Sequence, residues 1–163
     1  MRDKVVHIDA KRAYAAIVAQ KKKFGTYHKV LFHIHTPASY DYHLITDWNK
    51  EVYSAKDEND IFQILMFHKV LQASYHINDI NNVPDVFKTI KEFLSYLLIG
   101  GILCKNKIEI VVVADHNTTL GIVKLQTAVE KLYKINKRIN IASTFTNVIG
   151  GIEISCADRL HVV

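Results

Sequence analysis

Little in this chain cross-links or interrupts a fold. Its 163 residues include two cysteines, two prolines and six glycines. Cys104 and Cys156 stand far apart with no C-x-x-C pair, which excludes a disulfide framework and a thiolate zinc site and fits a reducing compartment. Long hydrophobic runs are missing as well. The most apolar stretch, FLSYLLIGGIL (93–103), is too short to span a bilayer, and the N-terminus MRDKVVHIDAKRAY carries charges where a signal peptide needs an apolar core. The expectation is a cytoplasmic chain without a membrane partner. A Gly-rich phosphate loop is also lacking, since IGGI occurs twice but neither copy continues into G-K-S/T.

What is present suits a folded domain. With 49% apolar and 23% charged residues the chain has the composition of a globular protein, and its length points to a single domain over 1–163. The net charge of +5 is spread out except for QKKKF (20–24) and KINKR (134–138). These clusters read as solvated helix ends that favour cations, with a phosphate-attracting face as the functional alternative.

Periodicity places a helix over 8–22 with Asp9 as a cap, then a short strand KVLFHIH ending in two histidines. The stretch 42–82 is mixed, helix-like over 59–72 and loop-like over 76–85, and reads as an insertion or lid. Apolar residues at 87, 90, 93, 94, 97 and 98 predict a helix stopped by Gly100–Gly101. The β-branched run of IEIVVVADHN follows as a buried strand, then a helix over 119–135 capped by Asn117, Thr118 or Thr119, and then NVIGGIEIS and HVV. Strand, helix, strand, helix, strand is the order of a parallel α/β sheet or barrel, whose chemistry gathers at the carboxyl ends of its strands.

That edge is where the metal-ligating residue types fall. His33 and His35 end the first strand, Asp115 and His116 end the second, and Glu153 lies near the end of the third. In an extended segment residues i and i+2 point the same way, so His33 and His35 can reach one point together. An isolated H-x-H is weak evidence, because strand histidines are more often packed or solvated. The second strand, however, turns abruptly from apolar residues to Asp-His-Asn, and a buried Glu153 without a partner would be costly. Imidazoles mixed with carboxylates suit a catalytic divalent cation.

FHIHTPASYD, VVVADHNTTLGI and IGGIEISCADRLHVV resemble the first three motifs of the PHP (polymerase and histidinol phosphatase) superfamily, over about 29–41 and 85–163. Thr36 and Ser39 agree with the first motif beyond its histidines. The form HTPASYDY looks most like PHP domains fused to AAA- or SMC-like ATPases. The resemblance implies the N-terminal part of a distorted TIM-like (β/α) barrel, incomplete at its C-terminus. It also implies two or three divalent ions (Zn, Mn or Fe) and hydrolysis of phosphoesters. It makes His33 and His35 ligands of a first metal, with Glu153 bridging to a second. Asp41 and His116 match the third-metal positions, and His161 matches a second-metal ligand. Asp115, beside His116, is placed to orient a ligand from behind, with packing or helix capping as its other reading. Asn117 is assigned to the helix cap. The family's fourth motif, with a late Asp-x-His pair, has no counterpart before Val163, so the chain reads as a piece of a longer protein, with completion by a partner or a chain that does not catalyse as the other readings.

The implied activity is attack by a metal-activated water on a nucleic-acid or nucleotide phosphodiester, in a protein that continues into an ATPase region. Two other classes stay open: a PHP-derived structural or regulatory module without hydrolysis, and a small-molecule phosphomonoesterase. Tyr40 and Tyr42 are candidates for stacking on a base, with packing as the alternative. His43, His68 and His76 read as surface or core-edge residues, and Cys156 as a small buried hydrophobe.

Overall fold

The computed structural model describes residues 28–71, 81–155 and 161–162, with the single positions 12 and 15. Arg12 and Ala15 are helical, and the rest of the expected helix over 8–22 with its Asp9 cap, the QKKKF cluster, His76 and Cys156 lie outside the described residues.

Three β-branched runs form the centre. Strands β1 (Val30–Ile34), β2 (Ile110–Val113) and β3 (Asn147–Gly150) make one parallel sheet in the order β1-β2-β3. Val30 pairs with Ile110, and Val111 pairs with Val148 in regular register. Between Leu31 and Ile34 the β1 register slips. A second, two-stranded antiparallel sheet joins β4 (Ile154–Ser155) to β5 (His161–Val162).

The β1–β2 connection carries α1 (Lys50–Ala55), α2 (Glu58–Phe67) and α3 (Ile90–Lys105), and α4 (Leu120–Arg138) links β2 to β3. Local chemistry starts three of these helices. Asn49 caps α1 through the Val52 amide, Asp57 and Asp60 form a reciprocal capping box on α2, and Thr89 accepts the Glu92 amide at the start of α3. Thr119 stands at the start of α4 without a side-chain cap bond of its own, the Thr118 hydroxyl accepts the Leu120 amide at 3.2 Å, and Asn117 takes a left-handed turn (φ 53°) before them.

The core lies between the helices and one face of the sheet, with Phe93, Tyr96, Leu97 and Leu98 of α3 and Leu125 and Val129 of α4 against Val111 and Val113. The stretch after β1 joins it through Tyr42, Leu44, Ile61 and Leu65. Gly100 and Gly101 do not stop α3, which runs on to Lys105. They lie in its packed middle: a Cβ on Gly100 would touch Val129 Cγ2 at 3.2 Å, and one on Gly101 would fall 2.1 Å from Val70 Cγ1. Close packing of neighbours outweighs the helix cost of glycine there.

The expected partial TIM-like (β/α) barrel is corrected. The described chain is a small α/β fold with a three-stranded open sheet. Closing a barrel requires many more strands at a common tilt and stagger. Among the described residues β1 and β3 are both edges, and beyond Glu153 the chain leaves the sheet to pair antiparallel as β4 and β5. Among the described residues no helix is long and apolar enough to cross a membrane.

Candidate metal centre

The carboxyl ends of the three parallel strands converge. Beyond β2 and β3 the two chains stay paired through a bridge between His116 and Glu153, with the Glu153 amide donating to the Asp115 carbonyl at 3.2 Å and the Asn117 amide to the Glu153 carbonyl at 2.9 Å. This extension brings Glu153 over the end of β1.

His33 reaches the same point by a distortion. Its φ is 67°, within the register slip of β1. A non-glycine residue with positive φ is uncommon, and bulges of this kind re-aim a side chain. The plain i, i+2 alternation of an extended strand therefore does not describe the histidine pair; the left-handed residue within the register slip does. His33 Nε2 lies 2.8 Å from His35 Nε2, and both face Glu153 Oε2, at 2.9 and 3.2 Å. Glu153 is buried and His33 is open to solvent on one side.

A second trio adjoins the first. His35 Nδ1 lies 2.7 Å from Asp41 Oδ1, and His116 Nε2 lies 3.0 Å from Asp41 Oδ2 and 3.7 Å from Glu153 Oε1. In each of the trios His33/His35/Glu153 and His35/Asp41/His116, one donor atom per residue lies within 4.8 Å of the others. His35 is common to both. With a proton on Nδ1 donated to Asp41, its Nε2 lone pair faces His33 and Glu153, the arrangement by which an outer carboxylate sets the tautomer of a ligating histidine. Two imidazoles and a carboxylate around one point fit Zn, Mn or Fe in charge and ligand type.

Ser39 holds Asp41 in place. Its buried hydroxyl donates to Asp41 Oδ1 at 2.7 Å and accepts the His116 amide at 3.3 Å. Burial acts to raise the Asp41 carboxyl, but the Ser39 hydroxyl and the nearby His35 and His116 outweigh it and hold the group below the usual aspartate range.

Asp115 sits beneath this layer, fully buried. It accepts the Thr36 amide at 2.6 Å and the Thr36 hydroxyl at 2.7 Å, and that hydroxyl accepts in turn from Tyr96 at 2.9 Å. Desolvation pushes the Asp115 carboxyl above its ordinary value despite these bonds. Gly121 makes room for the pair: a Cβ there would fall 1.9 Å from Asp115 Oδ2 and 2.1 Å from Thr36 Oγ1. Asp115 thus anchors the loop carrying Asp41 to the end of β2.

Five sequence-predicted ligands, His33, His35, Asp41, His116 and Glu153, meet within the two trios. His161 lies in β5, its backbone paired with Ser155, and its side chain is outside the described residues. Tyr40 and Tyr42 separate. Tyr42 is in the core against Tyr53, whereas Tyr40 is exposed and its ring lies 4.5 Å from that of His116 at an interplanar angle of 31°. His43 is exposed and His68 caps the end of α2, and neither belongs to the trios. The support from Ser39, Tyr96 and Gly121 was not read as part of the site from the sequence. The first motif did single out Thr36 and Ser39, without their partners.

No family model matches the chain, and no solved structure does. A protein of Streptococcus pneumoniae serotype 4 (strain ATCC BAA-334 / TIGR4), described as uncharacterized, is 41% identical over 153 residues. The match covers 94% of this chain and 58% of that protein, so the chain spans little more than half the length of the curated relative it matches.

Proposed function

We propose that this chain carries the metal-holding part of a cytoplasmic, PHP-type phosphoesterase acting on nucleic-acid or nucleotide phosphodiesters. The reading rests on one observation above all: two imidazole nitrogens and a buried carboxylate oxygen from the ends of β1 and β3 crowd within 3.2 Å of one another. Two imidazoles and a carboxylate gathered at one point make a donor set suited to a divalent cation. Cations held there would supply Lewis acidity toward a phosphoryl oxygen and lower the pKa of water. His33, His35 and Glu153 hold the first ion, and Asp41 and His116 extend the site toward a second. Asp41 orients His35 through Nδ1, while Thr36 and Asp115 keep the loop in register with β2. Tyr40, exposed beside His116, offers a face for a base. An ATPase region beyond this chain belongs to the same proposal, on the form of HTPASYDY.

The test uses protein stripped with EDTA and reloaded with Mn2+ or Zn2+. Bis(p-nitrophenyl) phosphate, p-nitrophenyl phosphate and a single-stranded oligonucleotide serve as substrates, for the parent and the His33→Ala/His35→Ala variant. Metal-dependent release from the diester and the oligonucleotide, lost in the variant, is the expected result. Turnover confined to the monoester would make this a small-molecule phosphatase. Stoichiometric metal without turnover in the full-length protein would make the site a scaffold.

A further inference from the structure

At the amino-terminal end of the strands, away from the histidines, lies a cavity of about 510 Å3. That volume falls within the roughly 300–1,000 Å3 typical of small-molecule sites. Val70, Leu132 and Ile141 give it an apolar floor, Lys69, Lys105 and Lys107 line it as well, and none of its described lining residues is acidic.

Two of these lysines occupy unexpected backbone positions. Helix α2 closes with the Val70 amide on the Leu65 carbonyl and the Lys69 amide on the Met66 carbonyl, both at 2.9 Å. Helix α3 closes in the same way, with the Ile108 amide on Leu103 and the Lys107 amide on Cys104, both at 3.0 Å. The residue inside such a closure is left-handed and is usually Gly, sometimes Asn. Here Lys69 has φ 54° and Lys107 has φ 56°. Helix α4 ends beside them by the same closure through Asn140 (φ 55°), which does not line the cavity. Of the three helix ends that border the cavity, those of α2 and α3 thus carry a lysine where glycine would be easier. Three helix C-termini alone would make this end of the fold negative, and lysines offset that. Lys105 is tied to the His68 carbonyl at 3.2 Å, whereas Lys69 and Lys107 form no ion pair among the described residues.

The geometry points to a second binding site, separate from the metal centre, for a small organic anion whose acidic head meets Lys69 and Lys107 and whose apolar body lies on Val70, Leu132 and Ile141. The head is a carboxylate or a phosphate, and the site does not depend on the phosphoesterase reading.

Cys104 lines the same cavity, with its thiol donating to the Thr144 carbonyl at 3.3 Å, so it reports occupancy. The full chain would be alkylated with N-ethylmaleimide in octanoate, octyl phosphate, AMP or inorganic phosphate, and the rate at Cys104 followed by peptide mass spectrometry. At least one of the first three should slow Cys104 alkylation about tenfold at saturation, and the preferred head then separates carboxylate from phosphate ligands. In Lys69→Gly/Lys107→Gly the left-handed positions are relaxed, so the melting temperature should rise while the protecting ligand binds at least tenfold more weakly. A Lys69→Asn/Lys107→Asn variant, also tolerant of positive φ, should show the same loss of binding. Failure of every probe to protect Cys104, equal protection by inorganic phosphate alone, or full affinity in both folded variants would overturn the assignment.

Discussion

Asp115 accepts two hydrogen bonds from a single residue, Thr36: the amide donates to Oδ1 at 2.6 Å and the hydroxyl to Oδ2 at 2.7 Å. The pair ties the end of β1 to the end of β2 directly beneath the histidines. It converts a strand end into a fixed support, because neither residue can move without leaving a buried polar group unpaired.

Asp115→Ala should therefore destabilise the fold by about 1–3 kcal/mol, the usual cost of stranding a buried donor. Thr36→Val, which keeps the amide and loses the hydroxyl, should cost less. Urea unfolding of both single variants and the double variant would show coupling, and strictly additive effects would contradict the pairing.

The same pair has a pH signature. Burial raises the Asp115 carboxyl, so the folded state takes up its proton more readily than the unfolded state does. Its contribution to stability is greatest below the ordinary aspartate range and declines as pH rises through the raised value. The difference in unfolding free energy between the parent and Asp115→Asn should fall with pH across that window. A difference that grows instead would show that the carboxyl is not raised.

Gly121→Ala sets two effects against each other. In an exposed helix the change would favour folding by about 1 kcal/mol. Here the new methyl would fall 1.9 Å from Asp115 Oδ2 and 2.1 Å from Thr36 Oγ1, so steric displacement should win and lower stability by about 1–3 kcal/mol. Thermal melting reads the sign, and a higher melting temperature would mean that α4 shifts freely.

Gly101→Ala meets Val70 at 2.1 Å and should destabilise in the same way. Adding Val70→Ala removes the obstructing side chain and should recover much of the loss. No recovery in the double variant would place the strain elsewhere in α3.

Metal content distinguishes the two trios. Inductively coupled plasma mass spectrometry should find stoichiometric Zn, Mn or Fe in the parent and none after His33→Ala/His35→Ala. Asp41→Ala, which removes the partner of His35 Nδ1 and of His116, should weaken retention roughly 10- to 100-fold, as loss of an outer hydrogen-bond partner commonly does. Unchanged metal content in the histidine variant would remove the site.

The parallel strands and the helices over 90–105 and 120–138 were legible because β-branched runs and a 3.6-residue period are local patterns. The end of α3 was misread for a local reason too: Gly100–Gly101 carries a stop signal, but its meaning depends on Val70 and Val129, which approach from other elements. The barrel expectation failed on a non-local property. Edge strands and the departure of the chain beyond Glu153 are features of pairing, and hydrophobic pattern does not record pairing.

The candidate ligands divide along the same line. By itself the sequence determined which residue types stand at the strand ends, His33, His35, Asp115, His116 and Glu153, since an abrupt change from apolar to ionisable residues is visible along one dimension. Only the tertiary structure decided which of their side chains meet. The left-handed turn at His33 brings its ring to His35, the bridge between His116 and Glu153 extends the sheet under them, and the Thr36 bonds draw Asp115 away from the histidines into support. Burial and hydrogen bonding set each carboxylate's surroundings, and they come from segments distant in the chain, 79 residues apart for Thr36 and Asp115 and 118 for His35 and Glu153.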